Sequence, residues 1–166
     1  TGSGNSQQLP IAADKVRIVD PKGDRTELKN AELVVDGDLE TGWKTDRYQR
    51  RSDFGGLKPG MGILIDLGSP RQIDGVKVDL SAPGYSAEMR SGDSDPGATR
   101  AGDQKVVDTY TIVGEPVKKA AGTTIAFGNF DPDQTYQYLL LWITDLPKDK
   151  TGGYQIAVQE IVVNGS

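Results

Sequence analysis

The sequence predicts an all-β protein that folds as an antiparallel β-sandwich of the jelly-roll type. Residues 73–80 alternate apolar and polar side chains, which is the period of a strand with one buried face and one wet face. The 21 glycines and 9 prolines favour short strands and many turns over helices. Residues 136–143 are apolar at nearly every position, which fits a central strand covered on both faces, although a buried helix would share this pattern. We therefore expect about eight short strands and two long loops.

The first eight residues are small and polar, and we interpret residues 1–8 as a disordered leader or tag remnant. Residues 9–166 are long enough for one domain with a proper core. The first strand is expected within residues 11–19, and residues 45–60 and 81–104 are expected to form the long loops. Later strands are expected at residues 62–68, 73–80, 106–113, 123–127, 136–143 and 154–163, with a short edge strand at 88–90 and the last strand pairing with the first.

Composition excludes several classes of function. The net charge of -5 repels nucleic acid and anionic lipid surfaces, so no nucleic-acid partner is expected. The chain has no cysteine and no histidine, which removes thiolate metal sites and the histidine base on which serine and cysteine nucleophiles usually depend. No apolar run approaches the roughly 20 residues that span a bilayer. We predict a non-enzymatic protein; a glycosidase would still need a carboxylate pair in a cleft, and none is recognisable at strand ends.

A short acidic loop carries a resemblance to a known family. Asp-Gly-Asp at 36–38 is followed by Thr41, Trp43 and an apolar strand that ends in Asp-Leu-Gly at 66–68. This order resembles the discoidin or factor V/VIII type C family, which overlaps the galactose-binding carbohydrate modules. The resemblance implies a galactose-binding-domain-like sandwich in which Trp43 belongs to the core. In that family the Asp-Gly loop and a glutamate near the C-terminus often enclose a structural calcium ion, and residues 159–165 hold the counterpart of that glutamate here.

The implied calcium ligands are Asp36, Asp38, Thr41 and Glu160. Calcium takes six to eight oxygen ligands from carboxylates, hydroxyls and carbonyls, and these residues supply several of them. Their spacing differs from that of an EF-hand. The alternative is an Asx-type turn that stabilises itself without a metal. No other cofactor is expected.

Two further segments extend the resemblance towards a cell-envelope protein. Residues 16–24 and 138–147 resemble the extracellular C-terminal domain of the MviN family, the MurJ-type peptidoglycan lipid II flippases of actinobacteria, including mycobacteria, that carry a pseudokinase region. This implies an extracytoplasmic location, as the outer domain of a plasma-membrane protein. The chain starts at Thr1 without a methionine, so we interpret it as a fragment whose membrane anchor lies outside this chain.

The preferred ligand surface is the loop at residues 45–60. Arginine forks suit carboxylates and phosphates, and aromatic rings add stacking faces. The alternative is a solvated loop whose arginines pair with Asp46 and Asp53. Residues 149–154 are expected to form another side of the same rim. The predicted ligand residues are Arg47, Tyr48, Arg50, Arg51 and Phe54, with Tyr85 and Arg90 as a weaker set from the second loop.

These observations predict a non-catalytic module that binds cell-wall glycan or peptidoglycan precursor and serves peptidoglycan biosynthesis. Galactose-binding modules often read axial hydroxyls with a histidine, and this chain has none, so no galactose specificity is carried over. The competing hypothesis is a protein-interaction or spacer module that contacts another envelope protein and has no carbohydrate ligand.

Overall fold

Two antiparallel sheets form the protein, which is described here from a computed structural model covering residues 7–22 and 27–166. No helix of this described part is long and apolar enough to cross a membrane. Short 3-10 helices occur at Ala13–Lys15, Ala31–Val35 and Phe54–Gly56. The strands are β1 (Gln7–Gln8), β2 (Val16–Val19), β3 (Trp43–Lys44), β4 (Met61–Arg71), β5 (Ile73–Leu80), β6 (Ser86–Gly92), β7 (Thr111–Val117), β8 (Thr124–Phe127), β9 (Tyr136–Asp145) and β10 (Ala157–Gly165), and one α-helix, α1 (Arg100–Thr109), lies between β6 and β7.

The strand order confirms the predicted antiparallel sandwich. One sheet has the order β1-β10-β5-β8, with β3 also pairing with β10, and the other has the order β2-β4-β9-β6-β7. The apolar positions of β5 face inward and pack with those of β4 and β9 in one core between the sheets. Trp43 is 1% exposed and belongs to this core, as the family resemblance implies.

Strand β9 confirms the prediction of a central strand covered on both faces. It lies between β4 and β6. Leu139 and Leu141 enter the core between the sheets, while Leu140 and Trp142 point to the opposite face and pack in a second apolar cluster that includes Val106 of α1. The helix is therefore the cover of the outer face of this sheet.

The helix itself was not predicted. The sequence predicts a loop up to residue 104 and a strand at residues 106–113, because Val107, Tyr110 and Ile112 are residue types that favour strands. Thr99 caps the helix by accepting a hydrogen bond from the Gly102 N–H at 2.9 Å. Burial of Val106 against the sheet then stabilises a segment whose local pattern is ambiguous.

Three other expectations are corrected. The segment at 88–90 belongs to β6, which is an internal strand, because β7 pairs with it on the side opposite β9. The strand at Val16–Val19 pairs with β4, whereas β10 pairs with β5, β3 and β1. Gln7 and Gln8, assigned to the leader, form β1 against the end of β10. Residues 1–6 of the predicted leader, and Gly23 and Asp24 of the MviN-like segment, lie outside the described residues.

Four connections meet at one end of the sandwich, which we call the loop end. Strands β5, β7 and β9 finish there, and β4, β6, β8 and β10 begin there, so the connections 45–60, 81–85, 118–123 and 146–156 lie side by side. Backbone hydrogen bonds join them: Leu146 N–H donates to Ser52 O at 2.8 Å, and Gly84 N–H donates to Ala120 O at 2.8 Å.

Candidate ligand site at the loop end

A buried charged network holds the loop at residues 45–60 in place. Lys58 Nζ donates to Asp20 at 3.0 Å and to Glu27 at 2.9 Å, and the three side chains are almost completely buried. Glu27 also accepts the Tyr48 hydroxyl at 2.7 Å and the Asp46 N–H at 2.7 Å. Burial alone would lower the pKa of Lys58, but its bonds to Glu27 and Asp20 raise that pKa, so the ammonium stays charged. The network fixes both ends of the loop.

The aromatic residues predicted to face a ligand lie in the core instead. Phe54 is 0% exposed and packs edge-on against Tyr48, with ring centroids 5.4 Å apart. Burial, together with the bond to Glu27, raises the pKa of Tyr48 well above its usual value. Tyr85 is 0% exposed, and its hydroxyl donates to Gly122 O at 2.9 Å. These rings fill the core at this end of the sandwich, where the loops that cover it bury their apolar side chains.

Two of the predicted arginines are held by carboxylates. Arg47 Nε donates to Asp149 at 2.7 Å, and Arg47 Nη2 donates to the hydroxyl of Thr151. The hydrogen bond from Arg47, and to a smaller extent the one with Thr151, lowers the pKa of Asp149 well below its usual range. Arg51 pairs with Asp53 at 2.6 Å, as the solvated-loop alternative expected, whereas Arg47 bonds Asp149 rather than the expected Asp46. Residues 149–154 thus lie against the loop at residues 45–60, where they were predicted.

Arg90 does not belong to the loop end. It lies on the outer face of the second sheet, where its Nε donates to Glu88 at 2.6 Å and its guanidinium carbon is 5.5 Å from the centroid of the Trp142 ring. It also donates to Val107 O at 3.0 Å. Its role is therefore to attach α1 to the sheet.

An open cleft of about 690 Å³ occupies the loop end. Arg50 and Arg51 are the predicted ligand residues that line it. Sequence reasoning missed Lys118 and Lys119, although a lysine doublet directly after a strand was a visible signal. The lining residues are Arg50, Arg51, Ser52, Asp53, Ser86, Lys118, Lys119, Thr144, Asp145 and Tyr154.

Glu160 of β10 is distant in sequence from the other predicted calcium ligands, but its carboxylate lies against the acidic loop that contains them. Glu160 accepts the Gly37 N–H at 3.1 Å, and the Thr41 hydroxyl donates to Asp36. Burial raises the pKa of Glu160 to about 7, and the nearby Asp36 carboxylate acts in the same direction. Asp38 instead accepts the N–H of Glu40 at 2.8 Å, in an Asx-type turn.

This oxygen-only donor set is of the kind that calcium prefers. Two carboxylates, those of Asp36 and Glu160, approach each other with the Thr41 hydroxyl beside them. The described residues contain no group of three or more His, Cys, Asp or Glu side chains arranged to hold a metal. A calcium ion there would therefore need backbone carbonyls, of which that of Asp38 is beside Thr41.

Similar folds occur among carbohydrate-binding modules. A selenomethionine-labelled mutant of chitosan-binding module 1, derived from a chitosanase/glucanase of Paenibacillus sp. IK-5, is 18% identical with a TM-score of 0.61, over 95% of this chain and 98% of that chain. The family 32 module of Clostridium perfringens NanJ, solved with galactose, is 13% identical with a TM-score of 0.58, over 96% and 98%. CpGH89CBM32-5 from the same organism, in complex with GalNAc-β-1,3-galactose, is 13% identical with a TM-score of 0.57, over 95% and 99%.

No family model matches the sequence. The structural similarity covers 95–96% of this chain and 98–99% of each matched module. At these identities it establishes the fold, which is the galactose-binding-like β-sandwich expected from the sequence.

Proposed function

We propose that this chain is a non-catalytic glycan-binding module located outside the cytoplasm, as part of a cell-envelope membrane protein involved in peptidoglycan biosynthesis. The observation that carries the proposal is the end-to-end match in fold to carbohydrate-binding modules. Similarity of fold does not by itself establish function, so the proposal also needs support from the chemistry of the site. The resemblance of residues 16–24 and 138–147 to the MviN family supports the envelope context and suggests cell-wall glycan or peptidoglycan precursor as the ligand.

The proposed ligand site is the cleft at the loop end. Its volume lies in the range of small-molecule sites, roughly 300–1,000 Å³. Hydroxyl groups of Ser52 and Thr144 and the half-buried Tyr154 line it together with charged side chains. Such a mixture of donors and one ring suits a sugar, whose hydroxyls need hydrogen-bond partners and whose ring offers C–H groups to an aromatic face.

The test is calorimetric titration of the folded chain with peptidoglycan fragments and the lipid-linked precursor headgroup. Replacing Thr144 with Trp fills the cleft without changing its charge, and Thr135→Trp, on an exposed residue at the opposite end, is the matched control. We expect saturable binding that Thr144→Trp abolishes and Thr135→Trp preserves. Absence of binding by the wild-type chain across the panel would refute the glycan-binding proposal for these ligands.

One observation favours the competing protein-interaction or spacer function. Tyr48, Phe54 and Tyr85 are buried, so they present no stacking platform, while Leu57 at the loop end is 71% exposed. A single exposed leucine is ordinary on a protein surface, so the burial of the three rings is what favours this function, and Leu57 is the exposed apolar side chain with which to test it. If glycans do not bind, a Leu57→Ser variant that loses association with an envelope partner would support this second function.

We further propose that Asp36, Thr41 and Glu160 hold a structural calcium ion, with the Asp38 backbone completing the site. The ion would neutralise the two carboxylates and connect the acidic loop to β10. It would lie away from the cleft and act on stability rather than on sugar binding. The predicted role of Asp38 as a carboxylate ligand stays a proposal, which is tested by whether Asp38→Asn abolishes stabilisation of the folded chain by calcium.

A further inference from the structure

The cleft at the loop end collects more positive than negative charge. Arg50 and Arg51 come from one loop, and Lys118 and Lys119 come from another that is distant in sequence. The acidic residues in the lining are Asp53 and Asp145. This local excess of cations stands on a protein whose net charge is -5.

Ion pairs account for only part of this charge. Arg51 pairs with Asp53 at 2.6 Å, and Lys119 pairs with Asp145. Within the described residues, Arg50 and Lys118 have no ion pair, and both side chains are exposed. The cleft therefore presents two cations whose charge no carboxylate of residues 7–22 or 27–166 neutralises.

The backbone is strained at two of the cationic positions. Arg50 has φ 72° and Lys119 has φ 48°, in the left-handed region that residues other than glycine rarely adopt. The Arg51 N–H donates to Gln49 O at 2.8 Å across Arg50, which makes a three-residue γ-turn, a rare and strained conformation. The Lys119 N–H donates to Ser86 Oγ at 3.0 Å. Strain of this kind persists only where the surroundings enforce it, and it concentrates at ligand sites.

We infer that this cleft binds an oxyanion carried by a sugar, either a carboxylate or a phosphate, so that the recognised glycan is acidic. This inference rests on the proposed glycan-binding function and names the chemical class of its ligand. The Arg50 guanidinium offers a planar fork to two oxygens of the anion, and Lys118 adds a point charge from the facing loop. The Arg51 and Lys119 pairs keep Asp53 and Asp145 from repelling it.

Pairs of sugars that differ in one group test the inference. The disaccharide of N-acetylglucosamine and N-acetylmuramic acid carries a carboxylate, and N,N′-diacetylchitobiose is its neutral partner. N-acetylglucosamine 1-phosphate carries a phosphate, and N-acetylglucosamine is its neutral partner. We expect at least one acidic sugar to bind about tenfold or more tightly than its neutral partner, the effect of a charge-assisted hydrogen bond. The pair that shows the difference identifies the oxyanion.

The variant is Arg50→Asn with Lys118→Gln, because asparagine tolerates the left-handed backbone and the fold is preserved. The control is Lys77→Gln with Lys105→Gln, two exposed lysines away from the cleft, which changes the net charge equally. We expect the variant to lose about tenfold or more in affinity for the acidic sugar, and the control to lose less than about twofold.

The outcomes separate the inference from the function on which it rests. Equal binding of the acidic and neutral sugars would overturn the inference and leave glycan binding intact. Equal losses in the variant and the control would also overturn it, since the long-range field and not the cleft would then select the anion. If the folded chain binds none of these sugars, the proposed function and the inference fail together.

Discussion

Replacing Lys58 with methionine removes the cation that Asp20 and Glu27 share in the buried network and keeps a side chain of similar length. Lys58 Nζ is bonded to Asp20 and Glu27, and all three side chains are at most 2% exposed. The substitution leaves two carboxylates in a site that water does not reach. Breaking a buried pair by removing one partner costs about 3–5 kcal/mol, which is a large part of the roughly 5–15 kcal/mol that stabilises a typical domain.

The stability of the Lys58→Met variant should depend on pH in a defined direction. Burial raises the pKa of Asp20 in the native protein, and the bonds from Lys58 oppose that rise. Without Lys58, the folded-state pKa of this carboxyl lies further above its unfolded value of about 3.9. Such a group binds a proton more tightly when folded, so stability is lost as the pH rises through the folded-state pKa and regained as the pH falls. The Lys58→Met variant should therefore recover stability between pH 7 and pH 5.

Urea unfolding followed by tryptophan fluorescence measures both effects. Trp43 is a suitable probe because its indole N–H donates to Glu27 O at 2.7 Å. Lys77→Met, on an exposed strand position, should stay within about 0.5 kcal/mol of the wild type. The triple variant Asp20→Asn, Glu27→Gln, Lys58→Met should recover most of the loss, because these three buried positions then carry no charge. A loss below about 1 kcal/mol for Lys58→Met, or a loss that does not change between pH 7 and pH 5, would refute this reasoning.

Further predictions concern stability and metal binding. Gly42→Ala should lose more than about 2 kcal/mol in urea unfolding, because its Cβ would meet the backbone of β10, including Gln159 Cα at 2.9 Å, whereas Gly122→Ala, with open space around it, should change little. Asp103→Ala should lower the free energy of unfolding by about 3 kcal/mol, because this 0% exposed carboxylate pairs with Arg17. An unchanged urea midpoint would contradict the pairing. Calcium at about 100 times its dissociation constant should add about 2.7 kcal/mol to the wild type and nothing to Glu160→Gln, and an equal thermal shift in both would exclude the proposed site.

Much of the fold was predictable because its signals are local. Strand β5 begins and ends where the alternation of residues 73–80 placed it, and Trp43 is a core residue, as the family resemblance implies. The helix α1 was missed because its stability comes from Val106 packing against the second sheet and from the Thr99 cap. Neither contribution is visible in the periodicity of a ten-residue segment.

The candidate site was less predictable. The loop at residues 45–60 was identified, but Tyr48 and Phe54 are buried, neither of them lines the cleft, and a carboxylate holds Arg47. Exposure of a loop side chain depends on which segments lie above and below it, and composition carries no information about that. Arg50 remains from the original set as a cation without an ion pair among the described residues.

The sequence by itself determined the antiparallel sandwich and the exclusion of histidine- and cysteine-dependent chemistry. Alternation of side chains is a property of one strand, and the absence of a residue type needs no coordinates. Tertiary structure decided where the proposed ligand site lies, because Arg50, Lys118 and Tyr154 belong to three loops that only the closed end of the sandwich brings into one cleft. It also decided which charges remain available, since that depends on carboxylates from other loops, such as Asp145 beside Lys119.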